Sequence, residues 1–133
     1  MGAVQPDAAE GLVSAPVVLF VDDEEGLLEL YRSAFTREGY VVDVAPTLDG
    51  ARQRLAGGGV DLVVLDIRMA EGSGLALLKE IKSTESRLPV VLSTAFARYQ
   101  DDFASWLADA YVVKSSDLGE LKQAVRRCLE RSQ

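Results

Sequence analysis

Four apolar stretches of this sequence end in residues that can do chemistry. Two of them end in acids, one ends in hydroxyl residues and one ends in a lysine. In chain order these residues are Asp22 and Asp23, Asp66, Ser93 and Thr94, and Lys114. Carboxylates bind hard divalent cations, and an aspartate can also accept a phosphoryl group. A hydroxyl and an ammonium group nearby could contact the phosphoryl oxygens. These residue types therefore indicate phosphoryl transfer, provided that the fold brings the four stretch ends together.

A regular strand–helix alternation positions these residues. We predict strands at 17–21, 40–45, 62–66, 90–94 and 110–114, each followed by a helix. Thr47 can cap the second helix, the third covers 72–86, the fourth is short at 101–108, and the last covers 116–132. Three of the strands are continuously apolar, which is typical of strands that are buried on both faces of a parallel sheet. The predicted fold is therefore α/β: a five-stranded, doubly wound parallel sheet, (βα)5 and flavodoxin-like, with helices on both faces.

The carboxyl ends of the strands are where an open parallel sheet places its functional residues. We expect Asp22, Asp23 and Asp66 to converge there, because the strands that precede them are neighbours in such folds. Three close carboxylates repel one another unless a cation compensates, and Mg²⁺ suits a few carboxylates with waters and a phosphate oxygen. The alternative is that an acid caps the helix that follows its strand, as Asp23 or Glu24 could.

The composition limits the classes of function. The chain has 133 residues, one cysteine, no histidine and a net charge of -7. This predicts one domain at 16–133 after a loose tail at 1–15, and a reducing, cytoplasmic location. The lack of histidine excludes histidine-based catalytic triads and most zinc sites. Without a basic patch or a long apolar run, we expect neither direct nucleic-acid binding nor a membrane span. Cys128 is expected to pack in the last helix.

Residues 17–131 resemble the receiver domain of two-component response regulators. The stretches that carry the resemblance are VVLFVDDEEGLLELYRSAF, DLVVLDIRMAEGSGLALLKEIK, LPVVLSTA and DAYVVKS. The resemblance implies that Asp66 accepts the phosphoryl group. It also implies that Asp22 and Asp23 hold Mg²⁺ with Asp66 and the backbone carbonyl of Arg68, and that Lys114 contacts the phosphoryl group.

The resemblance also implies a switch. Thr94 matches the switch hydroxyl, with Ser93 as the less favoured choice, and Tyr111 matches the aromatic switch residue. The alternatives are that Thr94 is an ordinary strand residue and that Tyr111 is a packed strand aromatic. Trp106 could lie in the core or on a half-exposed contact surface.

Two positions depart from the family pattern. Ala70 stands where the family usually has proline, so the loop after Asp66 is expected to be less stiff. Lys114 is followed by Ser115 rather than by a proline with a cis peptide bond. Because a cis bond before a non-proline residue costs about 2.5–4 kcal/mol, the sequence leaves two alternatives: a strained cis bond, or a trans bond with a reshaped loop.

The function implied is a phosphorylation-dependent switch rather than an enzyme in its own right. A sensor histidine kinase or phosphotransfer protein would donate the phosphoryl group, and a downstream protein would bind the output face, defined here as residues 101–131. This face could also form a homodimer on activation. The alternatives are an unphosphorylated docking module with the same fold and, less favoured, an aspartate-nucleophile phosphatase. Such phosphatases typically have a second acid two residues after the nucleophile, and this chain has Arg68 at that position. The chain could act alone or as a piece of a longer regulator.

Overall fold

The computed structural model describes residues 14–95 and 106–132 of the chain. Its helices are α1 (Glu25–Arg37), α2 (Leu48–Ala56), α3 (Gly74–Thr84) and α4 (Gly119–Arg131). Its strands are β1 (Val17–Val21), β2 (Val41–Ala45), β3 (Leu62–Leu65), β4 (Arg68–Met69), β5 (Gly72–Ser73), β6 (Val90–Thr94) and β7 (Ala110–Val113). The predicted tail and most of the predicted fourth helix lie outside these residues.

The five longer strands form one parallel sheet in the order β2-β1-β3-β6-β7. β1 lies between β2 and β3 along its length, and β6 lies between β3 and β7. The chain winds outward from β1 in both directions, so the sheet has a switch point between β1 and β3. This arrangement confirms the predicted five-stranded, doubly wound parallel α/β fold.

Helices cover both faces of this sheet. α1 and α4 pack on one face, where Phe20 stacks on Tyr31 with ring centroids 4.8 Å apart and lies 4.9 Å from Phe35. α2 and α3 pack on the other face, against Leu19 and Val21 of the same strand. Because successive strand residues point to opposite faces and both faces are buried, the central strands are apolar throughout.

Several predicted boundaries of the helices and strands are wrong by one to three residues. α3 begins at Gly74 rather than Gly72, because β4 and β5 form a short antiparallel hairpin before it. β3 and β7 each end one residue earlier than predicted. α4 begins at Gly119 rather than 116, although Asp117 still accepts a hydrogen bond from the Gly119 N–H at 2.8 Å. The predicted cap of α2 is confirmed, since the Thr47 hydroxyl accepts from the Gly50 N–H.

Trp106 and Cys128 differ in their burial. Trp106 is 70% exposed, which excludes the core alternative. Cys128 is buried in the layer beneath α4, as expected. Among the residues that the structure describes, none of the helices combines the length and the apolar character that crossing a bilayer requires.

Candidate functional site

Three carboxylates meet at the carboxyl ends of β1 and β3. Each of Asp22, Asp23 and Asp66 offers an oxygen, and these oxygens all lie within 4.8 Å of one another. The sheet produces this proximity directly, because Val21 and Leu65 are partners in register and the acids follow them. The Asp66 N–H extends the ladder by donating to the Val21 carbonyl at 3.0 Å. Asp22 and Asp66 are buried, whereas Asp23 is exposed.

Lys114 reaches the acids from the end of β7. Its Nζ lies 2.8 Å from Oδ2 of Asp22 and 3.4 Å from both Oδ2 of Asp66 and Oε1 of Glu24. The backbone N–H of Lys114 donates to the Thr94 carbonyl at 2.7 Å, and this bond fixes the backbone position from which the side chain extends. One ammonium group therefore contacts three carboxylates.

The peptide bond that follows this lysine is trans, like every peptide bond within the described ranges. The second of the two alternatives for Lys114–Ser115 is therefore the observed one. A polar turn takes the place of the proline, with the Ser115 hydroxyl donating to the Asp117 carbonyl at 2.8 Å. The lysine still faces Asp22 and Asp66.

Burial and the neighbouring charges together shift the acid–base properties of the site. Burial raises the pKa of Asp66 to about 6; Lys114 opposes the rise, and Asp22 and Asp23 add to it. Burial lowers the pKa of Lys114, but its hydrogen bond to Asp22 and the attraction of Asp66 outweigh this, so its pKa lies above the ordinary value. The lysine is thus a permanent cation, and the acids together still lack positive charge.

The helix-cap alternative does not account for these acids. Glu24 occupies the N-cap position of α1, but its side chain makes no capping hydrogen bond within the described residues. The Glu24 N–H instead donates to Oδ1 of Asp22 at 3.0 Å. Asp23 accepts a hydrogen bond at Oδ2 from the Ala70 N–H, 2.7 Å away in the loop after Asp66. Both aspartates therefore serve the strand-end cluster rather than the helix.

Gly74 is a residue of the site that the sequence reasoning missed. A Cβ atom at this position would overlap the carbonyl oxygen of Asp66. The Gly74 N–H also donates to the Ile67 carbonyl at 2.7 Å, so the start of α3 is pressed against the backbone of the acidic residue. A signal was present in the GSG stretch, because glycine often marks a close backbone approach.

Comparison with known proteins identifies the family. The family model "Response regulator receiver domain" matches residues 18–126. The chain belongs to the response regulator receiver domain family. The solved response regulator TrrA of Thermotoga maritima, in complex with Mg²⁺-BeF, is 39% identical, with a TM-score of 0.82 over 85% of this chain and 98% of that one. The structure of TrrA in complex with the histidine kinase ThkA is also 39% identical in sequence, and it has a TM-score of 0.81 over 86% of this chain and 98% of that one.

Curated relatives of this receiver domain are longer proteins. The regulatory protein AtoC of Escherichia coli is 36% identical over 85% of this chain and 25% of its own length. The two-component response regulator PhoP of Pseudomonas aeruginosa is 32% identical over 86% of this chain and 52% of its own length. The chain thus spans about a quarter to a half of the length of these relatives.

The hydroxyl residues of the receiver domain point to opposite faces of β6. Ser93 lines a small cavity together with Tyr31 of α1. Thr94, the next residue, is fully buried and by strand alternation faces the layer of α2 and α3, as Leu92 does. Tyr111 of β7 is half-buried and packs against that same layer. The structure thus places Thr94 and Tyr111 on one side of the sheet and Ser93 on the other.

The donor set fits a hard divalent cation. The three aspartates supply only oxygen ligands within 4.8 Å of one another, which is the chemistry that Mg²⁺ prefers. The pKa of Asp66 is raised mainly by burial, and the neighbouring Asp22 and Asp23 carboxylates raise it further. Arg68 lies two residues after Asp66, as the first residue of β4, and the role of its carbonyl stays a prediction.

Proposed function

We propose that this receiver domain is a phosphorylation-dependent signalling switch whose acceptor is Asp66. The observation that supports the proposal is the meeting of Asp22, Asp23 and Asp66 with Lys114 at one edge of the sheet. Structural packing alone would favour a balanced ion pair, because buried unpaired charge is costly. An acidic site with a raised acceptor pKa is instead suited to binding a cation and a phosphoryl group.

The chemistry proposed is phosphoryl transfer from nitrogen to oxygen. A carboxylate oxygen of Asp66 attacks the phosphorus of a phosphohistidine. The P–N bond breaks, and its electron pair stays on the imidazole nitrogen, which takes up a proton. This chain has no histidine, so the donor is a partner histidine kinase, a phosphotransfer protein or a small acyl phosphate. Attack by water on the resulting acyl phosphate would return the carboxylate and release phosphate.

The residues of the chain have distinct roles in this proposal. Asp22, Asp23, Asp66 and the Arg68 carbonyl would hold Mg²⁺, which when bound offsets negative charge on the phosphoryl oxygens. Lys114 is already directed at Asp66 and can contact a phosphoryl oxygen of the adduct without a large movement. Such prepositioned charge lowers the barrier because little reorganisation is needed during transfer.

The switch would follow from the new phosphoryl oxygens. The Thr94 hydroxyl would move to donate to one of them, and Tyr111 would occupy the space that it leaves. Their placement on the same side of the sheet supports this coupling. The shift changes the population of a conformation of the output face, and so changes the protein that binds there. A downstream protein or a second copy of the activated domain is the proposed partner, in the cytoplasm and without direct nucleic-acid contact by this domain.

Intact mass measurement tests the proposal. The protein is incubated with acetyl phosphate and Mg²⁺, alongside the Asp66→Asn variant. We expect one added phosphate on the unaltered protein and none on the variant or after removal of Mg²⁺ by a chelator. An unlabelled protein would instead support a docking module that works without phosphorylation. Steady release of phosphate from varied small esters would support a phosphatase.

A further inference from the structure

The hydrogen bond between Ala70 and Asp23 joins two residues that are 47 positions apart in the chain. The N–H group of Ala70 donates to Oδ2 of Asp23 over 2.7 Å, the length expected when the acceptor is ionised. Asp23 is exposed, so its side chain would otherwise sample several rotamers. The bond therefore fixes the one acid of the cluster that burial does not hold.

Ala70 occupies the turn that links β4 to β5. The family usually has proline at this position, and proline carries no N–H group. A chain with proline here could not make this bond to the acidic pair. The substitution that was expected to loosen the loop after Asp66 thus supplies a new contact with the cation site.

The same turn is held on its other side. The Glu71 carboxylate accepts a hydrogen bond from the Leu48 N–H at the start of α2. The turn is therefore connected both to the end of β1, through Asp23, and to α2, through Leu48. Asp23 still has its second oxygen available, because a carboxylate offers about four lone-pair positions in all.

We propose that the backbone N–H of Ala70 is a positioning group of the cation site. It holds the Asp23 carboxylate beside those of Asp22 and Asp66, and it thereby strengthens the binding of Mg²⁺. The inference rests on the proposed function, since it concerns the same cation site. Hydrogen-bond partners that orient metal-ligating side chains typically change metal affinity by about 10–100-fold.

An ester at one backbone position tests this directly. L-Lactic acid in place of Ala70 exchanges only the N–H for an oxygen and keeps the side chain. Isothermal titration with Mg²⁺ alone is then compared with the unaltered protein, and we expect Mg²⁺ affinity to fall about tenfold. Ala70→Pro, which can be made without ester chemistry, is expected to weaken binding in the same direction. Glu71→Ala loosens the same turn but keeps the N–H, so its Mg²⁺ affinity should match that of the unaltered protein.

The NMR chemical shift of the Ala70 amide proton gives an independent measurement. In a ¹H–¹⁵N NMR spectrum we expect a low-field signal that moves upfield in Asp23→Ala. Equal or tighter Mg²⁺ binding by the ester protein would overturn the inference while leaving the proposed function intact. A weakening as large in Glu71→Ala would overturn it too, because looseness rather than the N–H would then be the cause. No Mg²⁺ binding by the unaltered protein would overturn both proposals.

Discussion

Two lysine–aspartate contacts lie at opposite ends of the paired strands β6 and β7. At the amino ends, Nζ of Lys82 lies 2.8 Å from Oδ2 of Asp109 and also donates to the Leu88 carbonyl. The same aspartate oxygen accepts from the Val90 N–H at 2.8 Å. At the carboxyl ends, one ammonium group, that of Lys114, faces Asp22, Glu24 and Asp66 together.

The difference between the two ends is one of charge balance. The Lys82 contact has one cation, one anion and backbone groups that satisfy the remaining hydrogen bonds, so it stabilises the fold and needs nothing else. The Lys114 site has an excess of carboxylates and a raised pKa at Asp66. Perturbed groups of this kind often mark functional sites, which is consistent with the proposed cation site.

The largest expected effect is that of Lys114→Ala on phosphorylation. Removing one prepositioned charge from a transferring group typically slows the reaction by about 10²–10³-fold. We expect the rate of labelling by acetyl phosphate, followed by intact mass at saturating Mg²⁺, to fall by that factor. Lys82→Ala is the matched control and should leave the labelling rate unchanged. Similar slowing in both variants would contradict the division between the two ends.

The pH dependence of stability sharpens the same comparison. In metal-free protein, the pKa of Asp66 is about 6 in the folded state and 3.8, the ordinary value, in the unfolded state. The folded state therefore binds more protons between these values, so its stability falls as pH rises from about 4 to 6. Asp66→Asn should be more stable than the unaltered protein at pH 7, by at most about 3 kcal/mol, and the gain should vanish near pH 4.

Urea unfolding in the presence of a chelator measures this gain. Adding Mg²⁺ should reduce it, since a bound cation stabilises the ionised Asp66 carboxylate. Asp109→Asn at the balanced end should instead lose stability at pH 7, because it removes the partner of Lys82. A pH-independent difference for Asp66→Asn would show that its charge is not the cause.

Gly74→Ala tests the backbone that carries the acceptor. The added Cβ would overlap the Asp66 carbonyl, and overpacking of this kind typically costs about 1–3 kcal/mol. We expect this loss in the free energy of unfolding together with slower labelling, because Asp66 is displaced. Gly26→Ala is the control: outside the surrounding helix, no atom of the described residues lies within 4 Å of the added Cβ, and a helical alanine should stabilise α1 by up to about 0.5–1 kcal/mol. Normal labelling of Gly74→Ala would disprove the role of the close approach.

The smallest expected effect is that of Lys82→Ala on stability. Its partner Asp109 is more than a third exposed, so solvent screens the pair, and the expected loss is about 1 kcal/mol. Urea unfolding measures it, and 1 M salt should lower the stability of the unaltered protein toward that of the variant. A loss of several kcal/mol would contradict the interpretation of the Lys82–Asp109 contact as an ion pair that solvent screens.

The sequence predicted most of the fold because strands that are buried on both faces consist largely of apolar residues. β1 and β3 are apolar at every position, β6 is apolar up to Ser93, and the predicted positions of all three agree with the structure to within one residue. The hairpin of β4 and β5 was missed because two-residue strands carry no periodicity. The start of α4 was misjudged because both Ser116 and Asp117 suit a helix start, whereas the turn formed by Ser115 and Asp117 precedes the helix, which begins at Gly119.

What the sequence determined by itself was the set of reactive residue types and the sheet edge that gathers them. Strand order and register then follow from burying apolar faces, and they carry Asp22, Asp66 and Lys114 to one edge. Only the tertiary structure decided that the Lys114–Ser115 bond is trans, that Glu24 joins the lysine, and that the N–H of Ala70 reaches Asp23. The last two contacts join residues 90 and 47 positions apart in the chain, and all three features depend on tertiary packing, which local sequence patterns do not report.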